Sequence, residues 1–347
     1  MKTLKMLDKH PSIPMATGWL IANLTEYRGK QELFTRQSPQ KLKALREHAL
    51  IESAVSSNRI EGVEVDPTRI KIVMFGTPIY KDRNEEEVAG YRSALNWIHS
   101  ECKNISLSEQ TVLRLHTLCR GEIWDAGRYK EKPVDIIELS PKGERTIRFK
   151  TVSPKETPGA VRELMMEFDE GLRNVRIHPL ILLAALNLDF LCIHPFRDGN
   201  GRVSRLLLLL SCYRLGFEVG RYISLERIIE QNKERYYETL RISSEGWHQR
   251  KHDPWPYINY LLFILKEAYR EFEARVGEME APRGAKMELV LDALKKIQNP
   301  FSLSELEADC PGVGREWIQT ILGSLKKNNR VVCVGKGRGA RWTFLGE

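Results

Sequence analysis

Two apolar helical runs broken by a short polar loop constrain this chain more than any other feature. HPLILLAALNLDFLCI (178–193) and VSRLLLLLSCYRL (203–215) place apolar side chains three and four apart, and between them stands HPFRDGNGR, residues 194 to 202. The most apolar segments, 180–193 and 206–212, are too short to cross a bilayer, and Asn187 and Asp189 interrupt the first. No membrane segment is therefore expected. Pro195 disfavours helical geometry in the residue before it, so the first helix should end at His194 and a new one begin near Arg202.

Most of the chain reads as helix on the same spacing: 40–60, 85–100, 106–120, 158–173, 179–193, 202–215, 224–243 and 254–276. The fold class is mainly α. One stretch differs: PVDIIELSPKGERTIRFKTV (133–152) has two β-rich arms around the turn signal SPKGE and reads as a hairpin. At 347 residues the chain is long enough for two or three domains. After Arg275 the sequence VGEMEAPRGAK loosens into a linker. Beyond it, 286–297 reads as an amphipathic helix, Ser302 and Glu305 have the spacing of a capping box, 313–328 suggests a third helix, and VVCVGKGRGARWTFL reads as two short strands about a basic glycine-rich turn. Three helices and a hairpin in that length suggest a winged helix-turn-helix.

Over 286–347 there are ten Lys and Arg against seven Asp and Glu, a net of +3. Lys336, Arg338 and Arg341 in the wing, with Arg315 and Lys326 on the third helix, would be the phosphate contacts if this unit binds DNA; docking of a protein is the equal alternative. The whole chain carries +8 with a pI near 9.1, which fits an anionic partner. The six cysteines show no CxxC pair or metal-ligand spacing and the N-terminus lacks the apolar core of a signal peptide, so a cytoplasmic protein with reduced thiols is expected.

The nonapeptide carries the chemistry. A calcium loop counted from Asp198 would need glycine at position six and glutamate at twelve; Val203 and Leu209 stand there instead. A plain polar turn leaves two glycines, an acid and two arginines unexplained. A loop Gly199-Asn200-Gly201 at a helix N-terminus, by contrast, offers unpaired backbone N–H groups and the positive end of the helix dipole to an anion. Arg202 and Arg205 add charged donors, Asp198 is the hard carboxylate that a phosphate-bound Mg²⁺ requires, and His194 can take a proton from a hydroxyl. Together these describe a phosphoryl- or nucleotidyl-transfer site.

HPFRDGNGRVSR resembles the signature of the Fic (Fic/DOC) family, H-P-F-x-[D/E]-G-N-G-R-x-x-R, with every fixed position matched. AGRYK (126–130) is similar to the segment before that family's flap hairpin, and the resemblance covers roughly 40–270. It implies a multihelical Fic fold with a β-hairpin flap, organised as an N-terminal helical region (1–105), a catalytic core (106–276) and the winged helix (283–347). It implies a protein adenylyltransferase that moves AMP from ATP to a Ser, Thr or Tyr hydroxyl, with Mg²⁺ as cofactor. In that scheme His194 is the base, Phe196 anchors the loop and Asp198 holds Mg²⁺. Gly199, Asn200 and Gly201 form the anion hole, and Arg202 and Arg205 meet the β- and γ-phosphates. The target protein would dock by strand pairing on the 133–152 flap. SSNRIEG (56–62) resembles the family's inhibitory helix, so Glu61, with Ser57 and Gly62, would pair with Arg205 and deny it to the γ-phosphate. Asn232, Tyr236 and Tyr237 are candidates for the adenine pocket. The resemblance leaves open removal of AMP by the same site and assembly as a homodimer; the alternative class is a DNA-binding regulator with a nucleotide-sensing Fic core.

Overall fold

The computed structural model describes residues 2–9, 12–35, 39–76, 79–139, 145–174, 176–280, 285–297, 299–310, 313–335 and 340–345. In chain order its elements are α1 (Lys2–Lys9), α2 (Met15–Thr35), α3 (Pro39–Ile60), α4 (Ile70–Phe75), α5 (Arg83–Glu101), α6 (Glu109–Arg120), β1 (Ile136–Leu139), β2 (Arg145–Phe149) and α7 (Thr157–Asn174). They continue with α8 (Pro179–Ile193), α9 (Asn200–Arg214), α10 (Leu225–Gln231), α11 (Lys233–Ser244), α12 (Trp255–Glu280), α13 (Ala285–Lys296), α14 (Leu303–Ala308), α15 (Arg315–Lys327), β3 (Val331–Val334) and β4 (Arg341–Phe344). The chain divides into two compact units, Met1–Glu273 and Ala274–Glu347.

Helices α8 and α9 lie at the centre of the first unit. Every residue from Leu180 to Ile193 is buried, and so is every residue of α9 up to Tyr213 except Gly201. A helix apolar all round has no face to offer water, so other helices must enclose it. α1 and α7 pack on α8, and α3, α5 and α6 pack on α9. Each leucine of 206–210 removed from water in this way contributes roughly 1.5–3 kcal/mol.

The polar residues inside α8 are all bonded. Asn187 Nδ2 donates to the Ser204 carbonyl at 2.7 Å and its Oδ1 accepts from the Tyr257 hydroxyl at 2.7 Å. Asp189 accepts from Thr3 N at 3.1 Å, from the Thr3 hydroxyl and from Trp247 Nε1 at 2.5 Å. The expected separation of 1–105 from 106–276 is thus not a boundary between folding units. Thr3 is bonded inside the central helix, and α3 packs on α5, α9 and α10 within the same core.

Three helices went unanticipated. α1 and α4 are eight and six residues long, too short to show a period, and α2 carries Gly18, Gly29 and the exposed Met15 and Trp19, so no clean stripe appears. The helix expected at 224–243 is two, broken at Asn232 (φ −118°, ψ 31°). α12 runs to Glu280, past the expected start of the linker, whose residues 281–284 lie outside the described ones. The hairpin is present: β1 pairs antiparallel with β2, Ile137 opposite Ile147 and Ile136 opposite Phe149, with an irregularity between Ile136 and Ile137. Its turn, Ser140 to Glu144, lies outside the described residues.

The second unit has the anticipated element order. α13, α14 and α15 enclose Val290, Leu294, Phe301, Leu306, Ile318, Leu322 and Leu325, and β3 pairs antiparallel with β4, with Phe301 bridging Trp342. The Ser302–Glu305 capping box closes in both directions at the start of α14. The wing residues Lys336 and Arg338 lie outside the described residues.

Asp189→Ala leaves two buried donors, Thr3 N and Trp247 Nε1, without an acceptor, at about 1–3 kcal/mol each, while the Thr3 hydroxyl keeps His252 Nε2 at 2.9 Å. The expected outcome is a loss of at least ~2 kcal/mol in equilibrium unfolding by urea, with Asp189→Asn, which keeps an acceptor, losing less.

Candidate active site

The loop 194–201 is held by its own atoms first. His194 ends α8 in the left-handed region (φ 52°, ψ 62°), where a residue other than glycine is strained, and its N–H still closes the helix on the Phe190 carbonyl at 2.9 Å. Gly199 (φ 82°) opens α9. The Asn200 side chain turns inward, its Oδ1 accepting from Phe196 N at 2.9 Å and its Nδ2 donating to Phe196 O at 2.8 Å. With that side chain occupied, the contribution of Asn200 to an anion site is left to its backbone amide. Phe196 is fully buried and stacks on His116, ring centroids 3.7 Å apart.

α6 supports the loop from below. His116 accepts from Gly127 N on Nδ1 (3.0 Å), so the proton sits on Nε2, which meets the Asp198 carbonyl at 3.1 Å. Burial pushes its pKa down to about 4, so the ring stays neutral and keeps this tautomer. One turn on, Arg120 donates to Asp198 Oδ2 at 2.7 Å, to Glu87 at 3.0 Å and to Asp125 at 3.2 Å. Glu87 is buried and also accepts from Arg83 (3.0 Å) and Arg202 (2.7 Å). Lys130 closes the far side: its N–H donates to Pro195 O at 3.0 Å and its Nζ to Ile193 O at 3.1 Å and Thr151 Oγ1 at 2.7 Å. It thereby ties the loop to the base of the hairpin.

His194 faces a cavity of about 140 Å³ lined by Glu61, Gly201, Tyr236, Tyr237 and, from the hairpin, Ile136, Arg148 and Phe149. Burial, reinforced by the charge of Lys130, lowers its pKa to about 4, so near neutral pH the imidazole is unprotonated and able to take a proton. Asp198 is half exposed; burial acts to raise its pKa, but Arg202, Arg120 and Arg83 with the Gly199 N–H outweigh it and hold the carboxyl below its usual range.

The segment 56–62 reaches the same place. α3 ends in a Schellman turn: Gly62 N bonds to Arg59 O and Val63 N to Asn58 O, both at 3.0 Å, with Gly62 at φ 80°. That turn sets Glu61 over the N-terminus of α9, where its Oε1 accepts from Arg205 Nη2 at 2.8 Å. Ser57 takes Arg205 through both its hydroxyl (2.8 Å from Nε) and its carbonyl (2.9 Å from Nη2). A Cβ on Gly201 would run into Glu61 Oε1, so this approach needs glycine. Burial opposes the charge of Arg205, but Glu61 holds it firmly protonated; the Arg205 Nη1 is buried with no partner among the described residues.

Every signature residue is gathered at this loop, along with Ser57, Glu61 and Gly62. Arg202 does not face the cavity: it is buried and bonded to Glu87, Asn58 and Asp198. Asn232 is not brought to the cavity either. Its Nδ2 donates to Ile228 O at 2.9 Å, ending α10. Tyr236 is buried among Tyr257 and Tyr260, while Tyr237 is 42% exposed. Glu87, His116, Arg120 and Lys130 escaped sequence reasoning. The signal for Glu87 is its register with Tyr91, Ala94, Leu95 and Ile98 on the buried face of α5; His116 and Arg120 stand likewise with Val112, Leu115 and Cys119 on α6. A charge on an apolar stripe demands a partner.

Against known proteins, the model of the Fic/DOC family matches residues 106–212. Residues 106–212 are a Fic/DOC domain. Among the relatives named Protein adenylyltransferase Fic, that of Aedes aegypti is 24% identical over 262 residues, and that of Drosophila erecta 27% over 166. These alignments take in 74% and 46% of this chain but only 42% and 30% of the relatives, so the chain spans less than half their length. In fold, a solved Fic family protein from Desulfovibrio desulfuricans G20 superposes with a TM-score of 0.62 over 97% of this chain and 98% of its own, at 21% identity. The Fic/DOC domain holds the signature loop, α6, α8 and the hairpin, whereas Glu61 and Glu87 lie upstream of the matched segment.

Four imidazoles around this core resist protonation: burial lowers His99 to about 3 and His116, His194 and His252 to about 4. Their folded pKa values lie below the unfolded one near 6.5, so as pH falls below ~6.5 the unfolded chain takes up protons that the native state refuses. Asp189, raised by burial to about 6, acts in the opposite sense but is one group against four. The melting temperature is expected to fall steadily between pH 6.5 and 4.5, and a flat profile would contradict the burial of these rings.

Proposed function

We propose that this chain transfers AMP from ATP to a hydroxyl side chain of a target protein, and that Glu61 restrains it. The observation that carries the reading is the Glu61 carboxylate lying against Gly201 and Arg205 at the N-terminus of α9, an anion in the position a phosphate would take. The unpartnered Arg205 Nη1 beside it supports the same conclusion, because a buried donor without an acceptor awaits one.

Neutral His194 takes the proton of the incoming hydroxyl as its oxygen attacks the α-phosphorus; the new O–P bond forms, the bond to the β-phosphate oxygen breaks, and diphosphate leaves. The amides of Asn200 and Gly201 and the Arg205 guanidinium balance charge on the phosphates. Tyr237, the more exposed of the tyrosine pair, offers a face for adenine. Strand pairing on the hairpin would hold the target's hydroxyl segment over the cavity, whose wall includes Ile136 and Phe149.

Mg²⁺ fits this donor set. Among the described residues no three His, Cys, Asp or Glu side chains converge as a metal site, and a single half-exposed carboxylate, Asp198, suits a cation that brings most of its oxygens with the nucleotide. When bound, Mg²⁺ would neutralise phosphate charge. Removal of AMP by water at the same loop would use the same groups: Glu61 orients the water, its oxygen bonds to phosphorus, the bond to the target's oxygen breaks, and AMP and the protonated hydroxyl are released. All six cysteines are unpaired, in keeping with a reducing cytoplasmic setting.

For the second unit, a winged helix that docks a protein is favoured over one that binds DNA. Two of the expected phosphate contacts are already paired inside the unit, Arg315 with Glu307 at 2.7 Å and Arg341 with Glu305 at 3.1 Å.

Glu61→Gly frees a charge-assisted contact to Arg205 of about 1.5–3 kcal/mol, so AMP transfer from α-labelled ATP should rise by roughly ten- to a hundredfold. His194→Ala on that background should lower the rate of transfer by about 10²–10⁴. Equal labelling by wild type and Glu61→Gly removes the restraint; equal labelling by the double variant removes His194 as the base.

A further inference from the structure

Asp198 stands in a ring of guanidinium groups, of which only Arg202 belongs to the signature. Arg120 Nη1 donates to Oδ2 at 2.7 Å, Arg83 Nη2 lies 3.6 Å from Oδ2, and Arg202 Nη2 lies 3.4 Å from Oδ1, which also accepts from Gly199 N at 2.6 Å. Arg120 and Arg202 are 3% and 1% exposed and have no room to swing away. Glu87 and Asp125 fix Arg120 from behind, and Glu87 and Asn58 fix Arg202. Both carboxylate oxygens are thus oriented by buried donors, and half of the side chain stays exposed.

A bare dication approaching Asp198 meets three cations within 4 Å of its ligand. A metal–nucleotide complex, carrying net negative charge, meets the same cations as attraction. We propose that Arg120, with Arg83 beside it, makes this site refuse free Mg²⁺ and accept Mg²⁺ only together with a nucleotide, Arg120 acting as a positioning residue through Asp198. The inference rests on the reading of Asp198 as the metal-holding residue given under Proposed function. Neither arginine belongs to the signature: Arg120 reaches the loop from α6 and Arg83 from α5.

The test uses Mn²⁺ as a paramagnetic probe, with binding to the full chain read by EPR in the absence of nucleotide. Arg120→Gln and Arg83→Gln should each raise Mn²⁺ affinity by about tenfold or more, the effect of removing one unit charge a few ångströms from a dication. Arg120→Lys, which keeps the charge, should stay within about threefold of wild type. Adding Asp198→Asn to either glutamine variant should abolish the gain. Should Arg120→Gln fail to fold because Glu87 and Asp125 lose their partner, Arg83, whose side chain is 58% exposed, still tests the ring. Unchanged Mn²⁺ affinity in Arg83→Gln and in any folded Arg120→Gln overturns the proposal, and so does a gain that survives Asp198→Asn, which places the metal elsewhere. No transfer activity enters the measurement, so a failed transferase assay and a failed charge ring are separate results.

Discussion

Burial of α8 and α9 on all sides is the constraint from which the rest follows. A helix with apolar residues around its whole circumference must be enclosed, and two such helices joined by a few residues leave the connecting loop little freedom. The loop therefore begins and ends on two enclosed helices. Asn200 and Phe196 then lock it internally, and His116 and Lys130 lock it from α6 and from the hairpin base. The proposed chemistry requires such fixing, because a base and an anion cradle work only in fixed relation to each other.

The same enclosure creates an electrostatic problem and its solution. Putting Arg202 and Arg205 on a buried helix requires compensating acids, since an isolated charge in the interior is far costlier than a paired one. Glu87 answers for Arg202 and Arg120 together, and Glu61 answers for Arg205. The difference between them lies in exposure: Glu87 is sealed in, whereas the Glu61 side chain is 29% exposed and sits at the end of a helix. One pairing is closed to solvent; the other is open to it.

The second unit follows the same accounting with another outcome. Its interior is a small apolar cluster of three helices and a hairpin, and two of its surface arginines are turned onto acids of α14. A net charge of +3 read from composition overstates the positive surface available to a partner, because paired charges cancel locally.

The sequence by itself determined the local features. It set the helical periods, the stop at His194 imposed by Pro195, the hairpin, the capping box at Ser302, and the signature loop with its glycines, because each depends on residues a few positions apart. It also placed Ser57, Glu61 and Gly62 on one helix end, where a positive φ at Gly62 sets the carboxylate. Only the tertiary structure decided what is brought together from far along the chain. Glu87 against Arg120 and Arg202, Thr3 against Asp189, and Asn58 against Arg202 are outcomes of packing. The physical reason is that a charge on an apolar stripe announces that a partner must exist, but which partner arrives depends on how helices with no local relation pack around a shared core.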